Sequence, residues 1–265
     1  MLKRKMYSFL LNWKKNKGKE CLLIKGARQV GKTYLVRQFA KAEYDSFIEI
    51  NFHMQSSLKV IFEGDKSADE IYKRMTANIP NIKLIPGKTL IFLDEIQKCS
   101  NARTALKFLA EDGRYDVIAS GSLLGLSYGK DDDKEVEPVE SIPVGYEKPV
   151  MMYSLDFEEF LWAYGYESDT VDYLKSFFDS KEKIPTEINQ RFESILREYL
   201  VVGGMPEVVA DFVEHKDFGR VQEIQDKILA SYADDISQHA KGAEKVKVRS
   251  CYDSIPRQLA KENKK

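Results

Sequence analysis

Gly26-Ala27-Arg28-Gln29-Val30-Gly31-Lys32-Thr33 has two glycines with four residues between them, then a lysine and a threonine. This is the G-x-x-x-x-G-K-[ST] spacing, and the chemistry it suits is phosphate binding. A loop wrapped round a phosphate must turn successive backbone N–H groups inward, and Cβ atoms would block its tightest points. Lys32 would neutralise the outer phosphate oxygens, and the Thr33 hydroxyl is a ligand for Mg²⁺. The helix that opens here adds the positive end of its dipole. The expected nucleotide contacts are therefore Gly26 to Thr33 and the adjoining Tyr34, with ATP and Mg²⁺ as the ligands.

Such a site needs a second half, a buried strand ending in acids. Thr89-Leu90-Ile91-Phe92-Leu93-Asp94-Glu95 supplies it. Asp94 is expected to hold the metal with Thr33, and Glu95 to polarise an attacking water. Nucleotide kinases and many GTPases lack that second acid, so its presence favours hydrolysis over transfer to a metabolite. A hydroxyl near the γ-phosphate would align the water, and Ser120 and Ser122 are both candidates. Spacing does not choose between them.

Elements must bring these residues together. Cys21-Leu22-Leu23-Ile24 is a short apolar run before the loop, and Leu35, Val36, Phe39 and Ala40 share one face of a helix after it. Phe47–Asn51, Thr89–Asp94, Asp116–Ser120 and Val150–Tyr153 read as further strands, with Asp116–Ser120 expected between the loop strand and the acidic strand. Helical patterns at 68–78 and 101–111 alternate with them, which implies βαβ units. The expected fold class is α/β: a P-loop NTPase with a parallel five-stranded sheet flanked by helices, followed by an α-helical lid. Beyond Tyr153 the alternation stops, and from Glu187 onward only helical periodicity appears. Asp156-Phe157-Glu158-Glu159 has capping-box spacing, and Gly203-Gly204-Met205-Pro206 should end one helix and start another. The expected division is a core at 1–153, a lid at 154–240 and the start of a further region at 241–265. The acidic stretch 127–147 is expected to be a mobile loop.

Composition is that of a globular chain: 43% hydrophobic and 31% charged over 265 residues. No window approaches the ~18 consecutive apolar residues of a membrane span, and the N-terminus lacks a signal-peptide cleavage pattern. Cys21, Cys99 and Cys251, like His53, His215 and His239, are too scattered for a disulfide framework or a zinc site. A reducing, cytoplasmic setting follows as the expectation. Net charge is −1, yet residues 1–41 hold twelve Lys/Arg against Glu20 alone, and residues 241–265 hold eight Lys/Arg against three acids. That asymmetry raises nucleic acid as a partner for the basic N-terminal stretch; the plainer alternative is a solvated face plus one phosphate loop. An arginine near the γ-phosphate is also wanted; Arg103, Arg114, Arg191, Arg249 and Arg257 are the candidates, and position does not choose among them.

Taken together the residues resemble the prokaryotic AAA-type P-loop ATPases that carry a C-terminal domain of uncharacterised function. The resemblance rests on the phosphate loop and on Phe92-Leu93-Asp94-Glu95-Ile96-Gln97. It extends through Gly121-Ser122-Leu123-Leu124-Gly125, Leu155-Asp156-Phe157-Glu158-Glu159-Phe160-Leu161 and Gly203-Gly204-Met205-Pro206-Glu207. Tyr232 with Asp234-Asp235-Ile236, and Ile255-Pro256 with Gln258-Leu259-Ala260, look like later signatures. The resemblance implies an ATPase core and the start of a C-terminal region. Lys261-Glu262-Asn263-Lys264-Lys265 then looks like a cut, with a helical or winged-helix segment and a restriction-endonuclease-like module expected beyond. It implies no substrate other than ATP. Three alternatives to a plain ATPase stand beside it: an ATP-gated interaction switch with negligible turnover, a nucleic-acid-stimulated motor using Lys14, Lys15 and Lys17, and a metabolite kinase.

Overall fold

A computed structural model of the chain describes residues 2–16, 18–122, 145–239 and 242–262, with no account of the side chains of 236–245 and 259–262. Leu123, Leu124, Gly125, Lys17, residues 263–265 and most of the expected 127–147 loop therefore lie outside the described residues. Two compact units are present, Met1–Lys181 and Glu182–Lys265.

In the first unit five parallel strands form one sheet: β1 (Cys21–Gly26), β2 (Ser46–Asn51), β3 (Thr89–Asp94), β4 (Asp116–Ser122) and β5 (Glu147–Met151). Their order is β2-β3-β4-β1-β5, so β4 does lie between the loop strand and the acidic strand. Every residue of β3 and β4 is buried, as expected of strands covered on both faces. The expected fold class, a five-stranded parallel sheet flanked by helices, is present.

The fifth strand begins earlier than its apolar run suggested, because Glu147, Lys148 and Pro149 belong to it. β5 occupies a sheet edge, pairing with β1 alone. A proline with no N–H and the exposed charge of Lys148 are tolerated at such an edge.

The helices of this unit are α1 (Lys5–Lys15), α2 (Lys32–Glu43), α3 (Ala68–Asn78), α4 (Ser100–Asp112), α5 (Phe157–Ala163) and α6 (Ser168–Ser180). α2 buries Leu35, Val36, Phe39 and Ala40, the face its periodicity marks. α1 buries Leu10 and Trp13, and Tyr7 meets Phe39 edge-on at 5.9 Å between ring centroids. α5 opens on a full capping box: Asp156 accepts from the Glu159 amide, and the Glu159 side chain accepts from the Asp156 amide.

The second unit holds α7 (Thr186–Val202), α8 (Pro206–His215), α9 (Phe218–His239) and α10 (Gly242–Glu262). Gly203 closes α7 at φ 72° and ψ −167°, and Pro206 takes the first position of α8. Val208, Val209 and Phe212 of α8 are buried, as are Ile195, Val202, Val221 and Ile228 from the neighbouring helices. Gln225 Nε2 donates to the Val201 and Val202 carbonyls at 3.0 and 3.1 Å, satisfying acceptors left over at the end of α7.

Candidate nucleotide site

All the expected site residues fall at the carboxyl ends of the strands, where open parallel sheets place ligands. Register does this directly. Gly26 pairs with Ser122 and Asn51 with Asp94, while Leu93 faces Ala119, so Asp94 lies between Asn51 and Ser120.

Asp94, only 2% exposed, is surrounded by donors. Thr33 Oγ1 reaches its Oδ2 at 3.0 Å and Asn51 Nδ2 the same oxygen at 2.9 Å. The Glu95 amide reaches Oδ1 at 3.1 Å, and the Ser120 hydroxyl donates to that oxygen in a short contact. Neutral donors hold the carboxylate in one orientation. A hydroxyl and a carboxylate side by side are hard oxygen donors, the set Mg²⁺ accepts when phosphate and water supply the remainder.

Lys32 opens α2 directly after Gly31, which sits in the left-handed region at φ 94°. The residue is 7% exposed, and its ammonium donates to the Gly26 carbonyl at 3.0 Å and the Ala27 carbonyl at 2.8 Å. Burial lowers its pKa; Glu95 and Asp94 oppose this, Arg28 reinforces it, and the net shift is downward. Gln29 is left-handed as well, at φ 64°. Gly26 is a glycine for a further reason. A Cβ there would lie 2.3 Å from the Met152 carbonyl oxygen, so the close approach comes from the chain leaving β5.

Glu95 leaves the strand with φ 55° and ψ 44° and caps the short 3₁₀ turn Ile96–Lys98. Gln97 Nε2 donates to Glu95 Oε2 in a short contact and lies 3.5 Å from Ser122 Oγ. The two serines therefore differ: Ser120 belongs to the Asp94 group and Ser122 to the Glu95–Gln97 group.

Two arginine candidates stand elsewhere. Arg103 Nη2 pairs with Glu147 at 3.1 Å, at the start of β5. Arg114 pairs with Asp69 and Asp112 just before β4 begins. Both are at the amino ends of the strands, away from the loop.

Sequence reasoning gave Asn51, Gln97 and Arg4 no role at the site, and Glu159 only its place in the capping box. Asn51 carried one signal, a polar residue ending an apolar strand. Arg4 carried none, being 155 residues from Glu159, with which it forms a buried ion pair at 3.1 Å. Part of the N-terminal positive charge is paired with acids: Lys3 with Glu167, Lys5 with Asp156 and Glu158, Lys14 with Glu43. Cys21 and Cys99 are buried free thiols and Cys251 is an exposed one; burial raises the pKa of Cys21 and Cys99. Among the described residues no helix is long and apolar enough to cross a membrane.

Residues 18–161, more than half of the chain, match a family described as "AAA domain", and residues 193–265 match a domain of unknown function, DUF8612. No curated protein matches. Among solved structures, the Walker-type ATPase paby2304 of Pyrococcus abyssi aligns at 15% identity and a TM-score of 0.45, over 97% of this chain and 77% of that one. AMPPCP-bound DnaA from Aquifex aeolicus aligns at 13% identity and 0.43, over 97% and 79%. The Aeropyrum pernix Orc1 protein, solved in complex with DNA, aligns at 16% and 0.36, over 60% and 46%.

Proposed function

Because the chain belongs to the AAA domain family, we propose that it binds Mg-ATP and hydrolyses it to ADP and phosphate. The observation that carries this reading is the 3.0 Å contact of Thr33 with Asp94, with Lys32 and Glu95 each one residue away. Lys32 and the amides of Gly26 to Thr33 bind and orient the β- and γ-phosphates. Thr33 and Asp94 would hold Mg²⁺, which when bound offsets phosphate charge. Asn51 and Ser120 fix the Asp94 carboxylate. Glu95, kinked off the strand, polarises the attacking water, and Ser122 orients it. The chain divides by role into a core at 1–153, a lid at 154–240 and a further region at 241–265, with α5 and α6 in the first compact unit.

A second reading is an ATP-gated switch with negligible turnover. It draws on Gln97, whose amide already engages the carboxylate that would activate water.

Steady-state phosphate release from Mg-ATP, measured beside the Glu95→Gln variant, tests both. Release that disappears in the variant while ATP binding persists supports hydrolysis. Binding without release from either protein favours the switch. Loss of ATP binding in Glu95→Gln, equal to that in Lys32→Ala, would overturn the assignment of roles.

A further inference from the structure

Arg4 is the last residue before α1, and all three nitrogens of its guanidinium are engaged. Nε donates to Glu159 Oε1 at 3.1 Å, Nη1 to the Val30 carbonyl at 2.9 Å and Nη2 to the Tyr153 carbonyl at 2.7 Å. Val30 lies in the phosphate loop, directly before Gly31. Tyr153 lies in the chain that leaves β5, next to Met152, the neighbour of Gly26. One planar fork therefore ties together the phosphate loop, the segment after the edge strand and α5.

Glu159 makes that fork stay in place. Its Oε1 also accepts the Lys5 amide, the first N–H of α1, at 2.7 Å. Its Oε2 accepts the Asp156 amide at 3.3 Å within the capping box of α5. A single carboxylate, 5% exposed, thus serves the N-termini of two helices and the 8% exposed Arg4. Lys and Arg are not equivalent in such a place, because only the guanidinium offers several donors in one rigid plane.

The geometry points to Arg4 as a positioning residue for the phosphate loop, locked by Glu159. A loop that binds phosphate through its amides must keep its carbonyls turned away from the ligand. Arg4 holds one of them, that of Val30, from outside. The consequence for ATP rests on the nucleotide-binding reading given above; the positioning itself does not.

The test therefore has two readouts on the full chain. The first is hydrogen exchange of the amides in residues 27–33 without nucleotide. The second is affinity for a fluorescent ATP analogue with Mg²⁺. Arg4→Met removes the fork; Arg4→Lys keeps a charge for Glu159 while giving up the planar three-way contact, and serves if Arg4→Met does not fold. Arg103→Met is the control, since it breaks a buried ion pair with Glu147 at the other end of the sheet. At a temperature where all are folded, the Arg4 variants should speed loop exchange and weaken the analogue about tenfold, the loss of one charge-assisted hydrogen bond. Arg103→Met should change neither. Unchanged loop exchange in the Arg4 variants, or equal effects in Arg103→Met, overturns the proposal. A wild-type chain that fails to bind the analogue counts against the nucleotide reading alone, and loop exchange still decides the role of Arg4.

Discussion

Thr33 Oγ1 and Asp94 Oδ2 are 3.0 Å apart although 61 residues separate them in the chain. The contact joins the first turn of α2 to the end of β3, so the phosphate loop and the acidic strand end form one site. Lys32, next to Thr33, brings a largely buried lysine to this contact. Replacing it with alanine should leave the fold intact and weaken ATP by roughly tenfold to a hundredfold, the range for one or two hydrogen bonds from a charged donor. Calorimetric titration of Lys32→Ala with Mg-ATP checks this, and an unchanged affinity would take the lysine out of the site.

The two serines are separable by their partners. Ser120→Ala removes a donor to Asp94 and should raise the Mg²⁺ concentration needed for half-maximal activity by about tenfold. Ser122→Ala acts beside Gln97 and Glu95 and should lower kcat with the Mg²⁺ requirement unchanged. Magnesium titrations of phosphate release distinguish them, and matching profiles would contradict the division.

Gly26→Ala places a methyl group against the Met152 carbonyl, where the gap is 2.3 Å. Overpacking against backbone costs about 1–3 kcal/mol. Urea unfolding should show a lower midpoint for Gly26→Ala even without nucleotide, which a purely ligand-facing glycine would not.

Gly203 has φ 72° and ψ −167°, a region essentially confined to glycine. Gly203→Ala should destabilise the helices that follow residue 182 by about 1–3 kcal/mol. Hydrogen exchange resolved along the chain should show faster opening in α7 and α8, with β1 and β3 unaffected.

Asp156 supplies a pH dependence. Burial opposes its ionisation, but the Lys5 ammonium and the Glu159 and Glu158 amides outweigh this, holding its carboxyl below the usual carboxylate range. Because the folded-state pKa is depressed, the stabilisation is present above the unfolded value and is lost as pH falls through the folded one. The side chain is half exposed, so the effect is small. Asp156→Asn should be less stable than wild type at neutral pH, with the gap closing on acidification below the ordinary aspartate pKa. A gap that is constant with pH would mean the capping geometry, and not the charge, matters.

The sheet, the loop and the acidic strand end were legible because each is local: an apolar run, a fixed glycine spacing, a strand ending in Asp-Glu. The capping box of α5 was legible for the same reason. β5 was misplaced by three residues at its start because an edge strand relaxes the burial that makes strands visible. The contacts of Arg4 and Gln97, and the pairing of Glu159 with Arg4 beyond its capping box, were invisible because their meaning lies in long-range or turn-dependent contacts. An arginine before a basic helix looks like surface charge until the partner 155 residues away is in place. The left-handed backbone of Glu95 also leaves no trace in residue type, since glutamate is not a residue that favours it.

The match to the AAA family begins at residue 18, fourteen residues after the arginine that grips Val30. A domain excised or grafted at that border would carry the whole glycine-lysine-threonine motif and leave its outer brace behind, together with Leu10, Trp13 and the ring that meets Phe39. Likeness and mechanics thus draw different borders. On the positioning role inferred for Arg4, the smallest transplantable piece of this site should start at or before Arg4, and chimeras cut at residue 18 should keep the glycine-lysine-threonine signature while losing the contact to Val30.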